Sequence, residues 1–287
     1  MIMSDLKIKQ ILALRYIRAR LNILSFVSPR KAAIKAFRFF CTPRQRVVKK
    51  GSALFEGGER LSIRIDKHTI RGHRWLPASS PSKRVLIAHG FESASRNFES
   101  YIGILLQKGY EVVAFDAPAH GRSGGRRILL PDYVKVLRTI EQNYGPFDSY
   151  MGHSLGGLAL ALFLENTAHT ANTRLVLIAP AVETTTAVAA FVQILQLSPE
   201  VSKEMDHYVQ EISGHPFAWY SLRRALGHIQ ARILYLQDEE DRITPLKEAR
   251  LVQQDGHPNI RFLFTKGLGH RKIYKDEAIR DKIVSFL

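Results

Sequence analysis

The order of apolar and polar residues predicts strands that alternate with helices over most of the chain. Short apolar runs lie at 84–90, 110–121, 147–154, 174–180, 231–238 and 260–270. Segments with helical spacing lie between most of these runs, at 94–108, 131–143 and 155–167. This alternation predicts the α/β class, with a doubly wound and mostly parallel sheet. Such sheets carry their chemistry in loops that follow the C-terminal ends of the strands.

Two regions depart from this alternation. Residues 59–66 and 68–77 alternate between apolar and polar positions, which predicts an antiparallel hairpin or meander ahead of the parallel strands. Residues 181–230 contain no good strand and are interpreted as several short helices inserted between two strands. The predicted plan is a basic helical N-terminal arm over 1–50, a core over 51–180 and 231–287, and the insertion.

The positive charge of the chain is concentrated near its beginning. The formal net charge is +16, and residues 1–50 hold 13 Lys and Arg against one acid, while the rest holds 29 against 25. An anionic partner would therefore meet the arm. Arg15, Arg18 and Arg20 interrupt its first apolar run, so neither a secretory signal nor a membrane-spanning helix is predicted. The single cysteine suits a reducing compartment, and we expect a cytoplasmic protein, in contact with the inner membrane surface if the arm binds lipid.

The second half of the arm predicts an amphipathic helix, with Ser28 as its cap and Pro29 at its first position. Its apolar face holds Ala33, Ile34, Phe37 and Phe40, and its basic face holds Lys31, Lys35 and Arg38. Residues 6–26 show no such division. The apolar face either packs on the body of the protein or rests on an anionic membrane surface. No nucleic-acid-binding motif is present, so no nucleic-acid partner is expected.

The segment GHSLGG, 152–157, contains the candidate nucleophile. Ser154 lies between a predicted short strand and a predicted helix, where a sharp turn forces a strained backbone. Side chains at 152 and 156 would collide as the helix packs back on the strand, and glycine avoids this. The hydroxyl would then stand above a helix N-terminus, where developing negative charge is favoured.

A serine nucleophile needs a histidine base and a carboxylate that orients the base. GLGHRK follows the last strand and offers His270 as the base. LQDEEDRITP follows the preceding strand, and its acidic residues are Asp238, Glu239, Glu240 and Asp241. The backbone N–H groups of Leu155, directly after the serine, and of Phe91, in AHGFES, are the candidate oxyanion donors.

Five motifs in this order resemble the α/β-hydrolase superfamily over roughly residues 52–287. They are HGF (89–91), DAPAHGRSGG (116–125), GHSLGG (152–157), DRITP (241–245) and GLGH (267–270). The resemblance implies a Ser-Asp-His triad, an acyl-enzyme intermediate, and no metal or organic cofactor. It also implies that the insertion is a helical lid over an acyl pocket.

The resemblance further assigns roles within the loops. Asp241 fits the superfamily spacing Asp-x-x-x-Pro with Pro245, while Asp238 is an alternative that lies nearer the strand end. Glu239 and Glu240 are then solvated loop charges.

Three histidines are expected to be structural. The resemblance implies that His89 and His120 hold loops by hydrogen bonds, and we expect His153 to pack or cap beside the serine. No cluster of His, Cys and Asp has convincing zinc spacing.

Within the superfamily the pattern is most similar to bacterial esterases, monoacylglycerol-lipase-like and serine-aminopeptidase-like members. The expected activity is hydrolysis of a small carboxylic ester. The apolar insertion favours an apolar acyl group. Haloalkane dehalogenases and epoxide hydrolases usually carry Asp where this chain has Ser154, which disfavours them. The alternative is a non-enzymatic protein that binds an apolar ligand or a membrane surface on the same fold.

Overall fold

A computed structural model describes residues 8–47 and 52–287 of the chain. The strands are β1 Glu59–Ile65, β2 His68–Trp75, β3 Lys83–Ala88, β4 Tyr110–Phe115, β5 Ser149–His153, β6 Arg174–Ile178, β7 Arg232–Asp238 and β8 Ile260–Thr265. The first six helices are α1 Ile8–Val27, α2 Pro29–Phe40, α3 Ala53–Gly57, α4 Glu99–Gln107, α5 Leu130–Tyr144 and α6 Leu155–Leu164. The others are α7 Thr184–Leu195, α8 Pro199–Ser213, α9 Leu222–Leu226, α10 Leu246–Gln254, α11 Gly269–Lys272 and α12 Glu277–Phe286.

The strands form one sheet in the order β1-β2-β4-β3-β5-β6-β7-β8. β2 pairs antiparallel with β1 and β4, and all later pairs are parallel. The predicted α/β class, the mostly parallel sheet and the N-terminal hairpin are therefore confirmed. Because β3 to β8 run in one direction, their C-terminal ends meet at one edge and bring the candidate loops together.

Burial along the strands follows their position in the sheet. β1 alternates between buried and exposed side chains, as expected for a strand with one solvated face. β4 and β5 are buried at every position, because helices cover both faces of the sheet centre. Their apolar runs are therefore continuous, which is why the sequence shows them as runs and not as alternation.

Contacts divide the described residues into two compact units. The first comprises residues 8–42 together with Glu183–Tyr220, and the second comprises 43–47, 52–182 and Ser221–Leu287. The predicted insertion, 181–230, is therefore divided between the two units. A 3₁₀ turn, Phe217–Trp219, ends before Ser221, whose hydroxyl accepts from Arg224 N at 3.2 Å and caps α9. α9 packs on α6 in the second unit.

Within the first unit, α2 packs on helices of the insertion. Ser28 Oγ accepts from Lys31 N at 3.2 Å, so the expected cap is present. The Phe37 ring lies 5.6 Å from the Tyr208 ring, and Phe40 lies 5.1 Å from Phe191. The apolar face of α2 is thus covered by the insertion and is not free for a membrane. No helix in the described ranges is both long and apolar enough to cross a bilayer.

One buried carboxylate joins three strands near the start of β4. The Glu111 side chain is 2% exposed, and its two oxygens lie 3.2 Å from Arg74 Nε of β2 and 3.2 Å from Arg84 Nε of β3. Removing the charge would leave the Arg74 and Arg84 guanidinium groups, both partly shielded from solvent, without this counter-charge. This pair of contacts fixes the place where the antiparallel hairpin meets the parallel sheet.

We expect Glu111→Gln to lower the free energy of unfolding by about 1–3 kcal/mol, measured by urea denaturation. Glu59→Gln is the matched control, since Glu59 also contacts Arg74, at 3.6 Å, but is 57% exposed. That control should change stability by less than about 0.5 kcal/mol. Equal small effects of both variants would contradict a stabilising role for the buried carboxylate.

Candidate active site

Ser154 occupies the turn between β5 and α6 in a backbone conformation that is rare for a side-chain-bearing residue. Its φ is 53° and its ψ is −122°. The turn is fixed on both sides, because Ser154 N donates to Ile178 O at 3.0 Å and Ser154 O accepts from Ala181 N at 3.2 Å. The neighbouring strand end therefore holds the strained residue in place.

The glycines around Ser154 are required by close backbone contacts. A Cβ on Gly152 would lie 2.7 Å from Gly157 Cα, where α6 returns over β5. A Cβ on Gly156 would lie 2.6 Å from His89 O, so this glycine lets α6 approach the end of β3. A Cβ on Gly90 would lie 2.9 Å from Ser154 Cβ. The loop after β3 is therefore in direct contact with the candidate nucleophile.

A buried acid and a histidine lie at the same edge of the sheet. Asp241 Oδ2 is 2.7 Å from His270 Nδ1, and the two side chains are 0% and 10% exposed. Asp241 Oδ1 accepts from the N–H groups of Ile243 and Thr244, at 2.7 and 3.0 Å, and Oδ2 accepts from Thr244 Oγ1 at 2.8 Å. Burial by itself raises the pKa of Asp241, but the hydrogen bonds and the charge of His270 outweigh it and hold the pKa below its usual value.

The alternative acid, Asp238, contacts other partners. Its Oδ2 accepts from Thr265 Oγ1 at 2.7 Å and from Leu268 N at 3.0 Å, and its Oδ1 accepts from Glu240 N at 3.0 Å. Asp238 thus ties the end of β7 to the loop that leads to His270. Burial alone would raise the pKa of Asp238. The hydrogen bonds from Thr265, Leu268 and Glu240 have the larger effect and hold the pKa below its usual value. Glu239 and Glu240 are exposed, as expected for loop charges.

His153 connects the serine turn with the histidine loop. Its Nε2–H donates to the backbone carbonyl of His270 at 2.9 Å, and the two rings are 4.6 Å apart. Burial and the nearby His270 ring lower the pKa of His153 to about 3, so its ring is neutral. Among the described residues there is no hydrogen bond between the Ser154 hydroxyl and the His270 ring. Such contacts commonly tighten only when substrate binds.

The two candidate oxyanion donors border this site. Leu155 is the first residue of α6, and Phe91 follows Gly90 in the loop that touches Ser154. Neither backbone N–H donates to any other described residue. Both are therefore available to an oxygen that approaches Ser154.

The chain is similar in sequence to known hydrolases over part of its length. A family model described as serine aminopeptidase, S33, matches residues 79–216. Human monoglyceride lipase is 28% identical over 117 residues, which is 38% of this chain and 38% of that protein. Monoacylglycerol lipase from Mycolicibacterium smegmatis is 34% identical over 91 residues, which is 29% of this chain and 32% of that protein.

Solved structures extend the similarity to most of the chain. An esterase from Pyrococcus furiosus superposes with a TM-score of 0.63 at 20% identity, covering 86% of this chain and 98% of that one. This chain has the α/β-hydrolase fold. The matched segments span about a third of the two curated relatives, 38% and 32% of their lengths. The family match ends before Asp241 and His270, so the placement of these two residues rests on the geometry described above.

Two buried histidines hold the loops that follow β3 and β4. His89 Nε2 accepts from Ala117 N, and His120 Nε2 accepts from Glu92 N, each at 2.9 Å. Burial lowers the pKa of His89, while burial and the adjacent His89 lower the pKa of His120 to about 3. Both rings are therefore neutral and cross-link the loops that follow β3 and β4.

Sequence reasoning missed the residues that anchor the acid. Thr244 contacts both oxygens of Asp241, and Gln237 Nε2 donates to Asp241 Oδ2 at 3.3 Å and to Thr244 O at 2.8 Å. Thr244 lies inside the motif DRITP, so the motif could have indicated that Thr244 lies close to Asp241. Gln237 lies in the otherwise apolar strand β7. Its polar side chain in that setting was the only indication in the sequence that it anchors a neighbouring group.

Gly156→Ala should destabilise the protein by about 1–3 kcal/mol or more, because the added methyl group meets backbone carbonyls that cannot move aside. Gly103→Ala is the matched control in α4, where a Cβ would meet nothing within 4 Å. That control should stabilise the protein by about 0.5–1 kcal/mol, since Ala favours helix. Both changes are read from chemical denaturation, and a neutral Gly156→Ala would contradict the tight approach of α6.

Proposed function

We propose that this chain hydrolyses a carboxylic ester, with Ser154 as nucleophile, His270 as general base and Asp241 as the group that orients His270. The observation that carries the proposal is the 2.7 Å contact between the buried Asp241 carboxylate and His270 Nδ1. It occurs at the sheet edge that also holds the strained serine. A carboxylate at Nδ1 favours the tautomer with a proton on Nδ1, which leaves Nε2 free to accept a proton.

Acylation begins when substrate enters and the Ser154 hydroxyl meets His270 Nε2. As Nε2 takes the proton, Ser154 Oγ attacks the carbonyl carbon and the carbonyl oxygen becomes negatively charged. The N–H groups of Phe91 and Leu155 donate to that oxygen, and the positive end of α6 adds to their field. Asp241 stabilises the imidazolium that has formed.

The tetrahedral intermediate then collapses and releases the alcohol. His270 returns its proton to the leaving oxygen, and the acyl group remains as an ester on Ser154. A water molecule next gives a proton to His270 and attacks the acyl carbon. The second intermediate releases the carboxylic acid as Ser154 recovers its proton from His270.

The proposed substrate is a small ester with an apolar acyl group. Two of the similar proteins are named monoglyceride and monoacylglycerol lipases, which makes a glycerol monoester the first substrate to test. We propose that the insertion acts as a lid in this reaction. Its first helix, α7, is rich in Ala and Val and suits contact with an acyl chain.

A purely binding role on the same fold is the alternative from a different class. A ligand-binding protein has no need for a strained serine or for a buried, ionised carboxylate, and both of these are costly to maintain. Their presence together favours catalysis. An aminopeptidase is a further outcome of the substrate tests, because the family model carries that description.

Ser154→Ala should abolish ester turnover and the covalent adduct with a fluorophosphonate probe, measured by intact mass. The wild-type protein should gain one adduct. Ser93→Ala is the matched control, since it removes another buried hydroxyl two residues after Phe91 and should keep the adduct. Circular dichroism checks that each variant is folded.

The possible outcomes separate the classes of function. Turnover that survives in Ser154→Ala would overturn the nucleophile assignment. A folded wild-type protein that forms no adduct would favour the binding alternative. Preference for an aminoacyl anilide over glycerol and nitrophenyl esters of several chain lengths would replace ester hydrolysis with amide hydrolysis.

Asp241→Asn should lower kcat by roughly 10²–10⁴-fold with a small change in KM, because the amide no longer favours the reactive tautomer of His270. Asp238→Asn is the matched control, at the end of the strand that precedes the Asp241 loop. Its amide oxygen can still accept from Leu268 N, so kcat should fall by about tenfold or less while thermal stability decreases.

A larger loss of kcat in Asp238→Asn than in Asp241→Asn would mean that Asp238, and not Asp241, orients His270. Stopped-flow or steady-state kinetics on one soluble ester measure both variants under the same conditions.

A further inference from the structure

The helix α1 is apolar on two opposite faces. Its inner face includes Leu21, which is 5% exposed, and α1 packs along α2 and α7 in the first unit. Among the side chains of this helix that the structure describes, five large apolar ones remain exposed. They are Leu12 (57%), Tyr16 (62%), Ile23 (68%), Phe26 (92%) and Val27 (79%), and we call them the outer stripe.

The outer stripe forms one continuous surface. At 100° per residue its members fall within an arc of about 100°, centred close to Leu12 and opposite Leu21. From Leu12 to Val27 the stripe is about 22 Å long at 1.5 Å per residue. Scattered exposed apolar residues are ordinary, but an aligned set of five large ones marks an interaction surface.

Positive charge borders the stripe on both sides. Arg15 lies about 60° to one side of Leu12 and Arg20 about 80° to the other, by the same helical geometry. The Arg20 guanidinium lies 5.5 Å from the centre of the Tyr16 ring and donates to its hydroxyl at 3.4 Å. Residues 8–40 contain eight Lys and Arg and no acidic residue. The partner of this surface therefore combines apolar material with negative charge.

We propose that the outer stripe of α1 docks on a lipid bilayer that contains anionic lipids, with the helix axis in the plane of the interface. Apolar side chains enter the boundary between headgroups and acyl chains, while Arg15 and Arg20 stay beside lipid phosphates. The sequence-based hypothesis assigned membrane contact to the arm, residues 1–50, and most specifically to the apolar face of α2, which packs on Tyr208 and Phe191. The proposal does not depend on the ester hydrolase activity.

A second copy of the chain fits this surface less well. A two-fold contact between outer stripes would bring the arginines of both copies together in an apolar setting without acidic partners. A nucleic acid would use the arginines but not the apolar side chains. A bilayer with anionic headgroups matches both features at once.

The test is co-sedimentation of the full chain with vesicles of phosphatidylcholine that contain about a third phosphatidylglycerol, compared with phosphatidylcholine alone. The protein should bind the anionic vesicles, and binding should weaken as salt increases. Ile23→Ser combined with Phe26→Ser should lower the partition coefficient by about tenfold or more. Arg15→Gln combined with Arg20→Gln should lower it by roughly tenfold or more and reduce its dependence on salt.

The controls change exposed residues of the same types outside the arm. Leu76→Ser, at a side chain that is 53% exposed, and Arg138→Gln in α5 should leave vesicle binding unchanged. All of these variants should hydrolyse a soluble ester at the wild-type rate, which keeps this test separate from the proposed activity.

Three results would overturn the proposal. They are failure of the wild-type chain to bind anionic vesicles, equal binding by the Ile23 and Phe26 double variant, and equal loss in the Leu76 control. Light scattering completes the test. A dimer that dissociates in the Ile23 and Phe26 double variant would assign the outer stripe to a second copy, and a wild-type monomer would support the bilayer.

Discussion

The close approach of α6 to the ends of β3 and β5 is the constraint on which the site depends. Glycine at 152 and 156 leaves the backbones in contact, so that the intervening Ser154 turns through a strained conformation. The same approach brings the loop after β3 against Ser154 Cβ. One packing requirement thus places the proposed nucleophile, the helix N-terminus and one proposed oxyanion donor together.

Hydrogen bonds connect Asp241 to His270, and His270 to the strand that leads to Ser154. Asp241 is ionised within the protein because Thr244, Ile243 and His270 satisfy its oxygens. The neutral ring of His153 holds the His270 backbone beside Ser154. The carboxylates of Asp238, at the end of β7, and Asp241, just after it, make different contacts. Asp241 contacts the His270 ring, and Asp238 fixes the loop that carries His270.

The basic arm uses its helices in two different ways. α2 is amphipathic, and its apolar face packs on helices of the insertion. α1 is apolar on both its packed face and its outer face, so its sequence shows no division into two sides. From the sequence alone, the lack of an amphipathic pattern in α1 did not indicate where the helix lies. The pattern is expected if one apolar face of α1 packs on the protein and the other lies in a membrane interface, as we propose.

The eight strands, the mostly parallel arrangement of the sheet and the candidate residues of the strand-end loops could be predicted from the sequence. These follow from local periodicity and from short motifs, where neighbouring residues carry the information. The sequence did not show which of Asp238 and Asp241 contacts His270, that Gln237 donates to Asp241, or which elements each arm helix packs against. These contacts follow from the folded chain, because a hydrogen bond or a packed face joins residues that are distant in sequence and depends on where the fold places them.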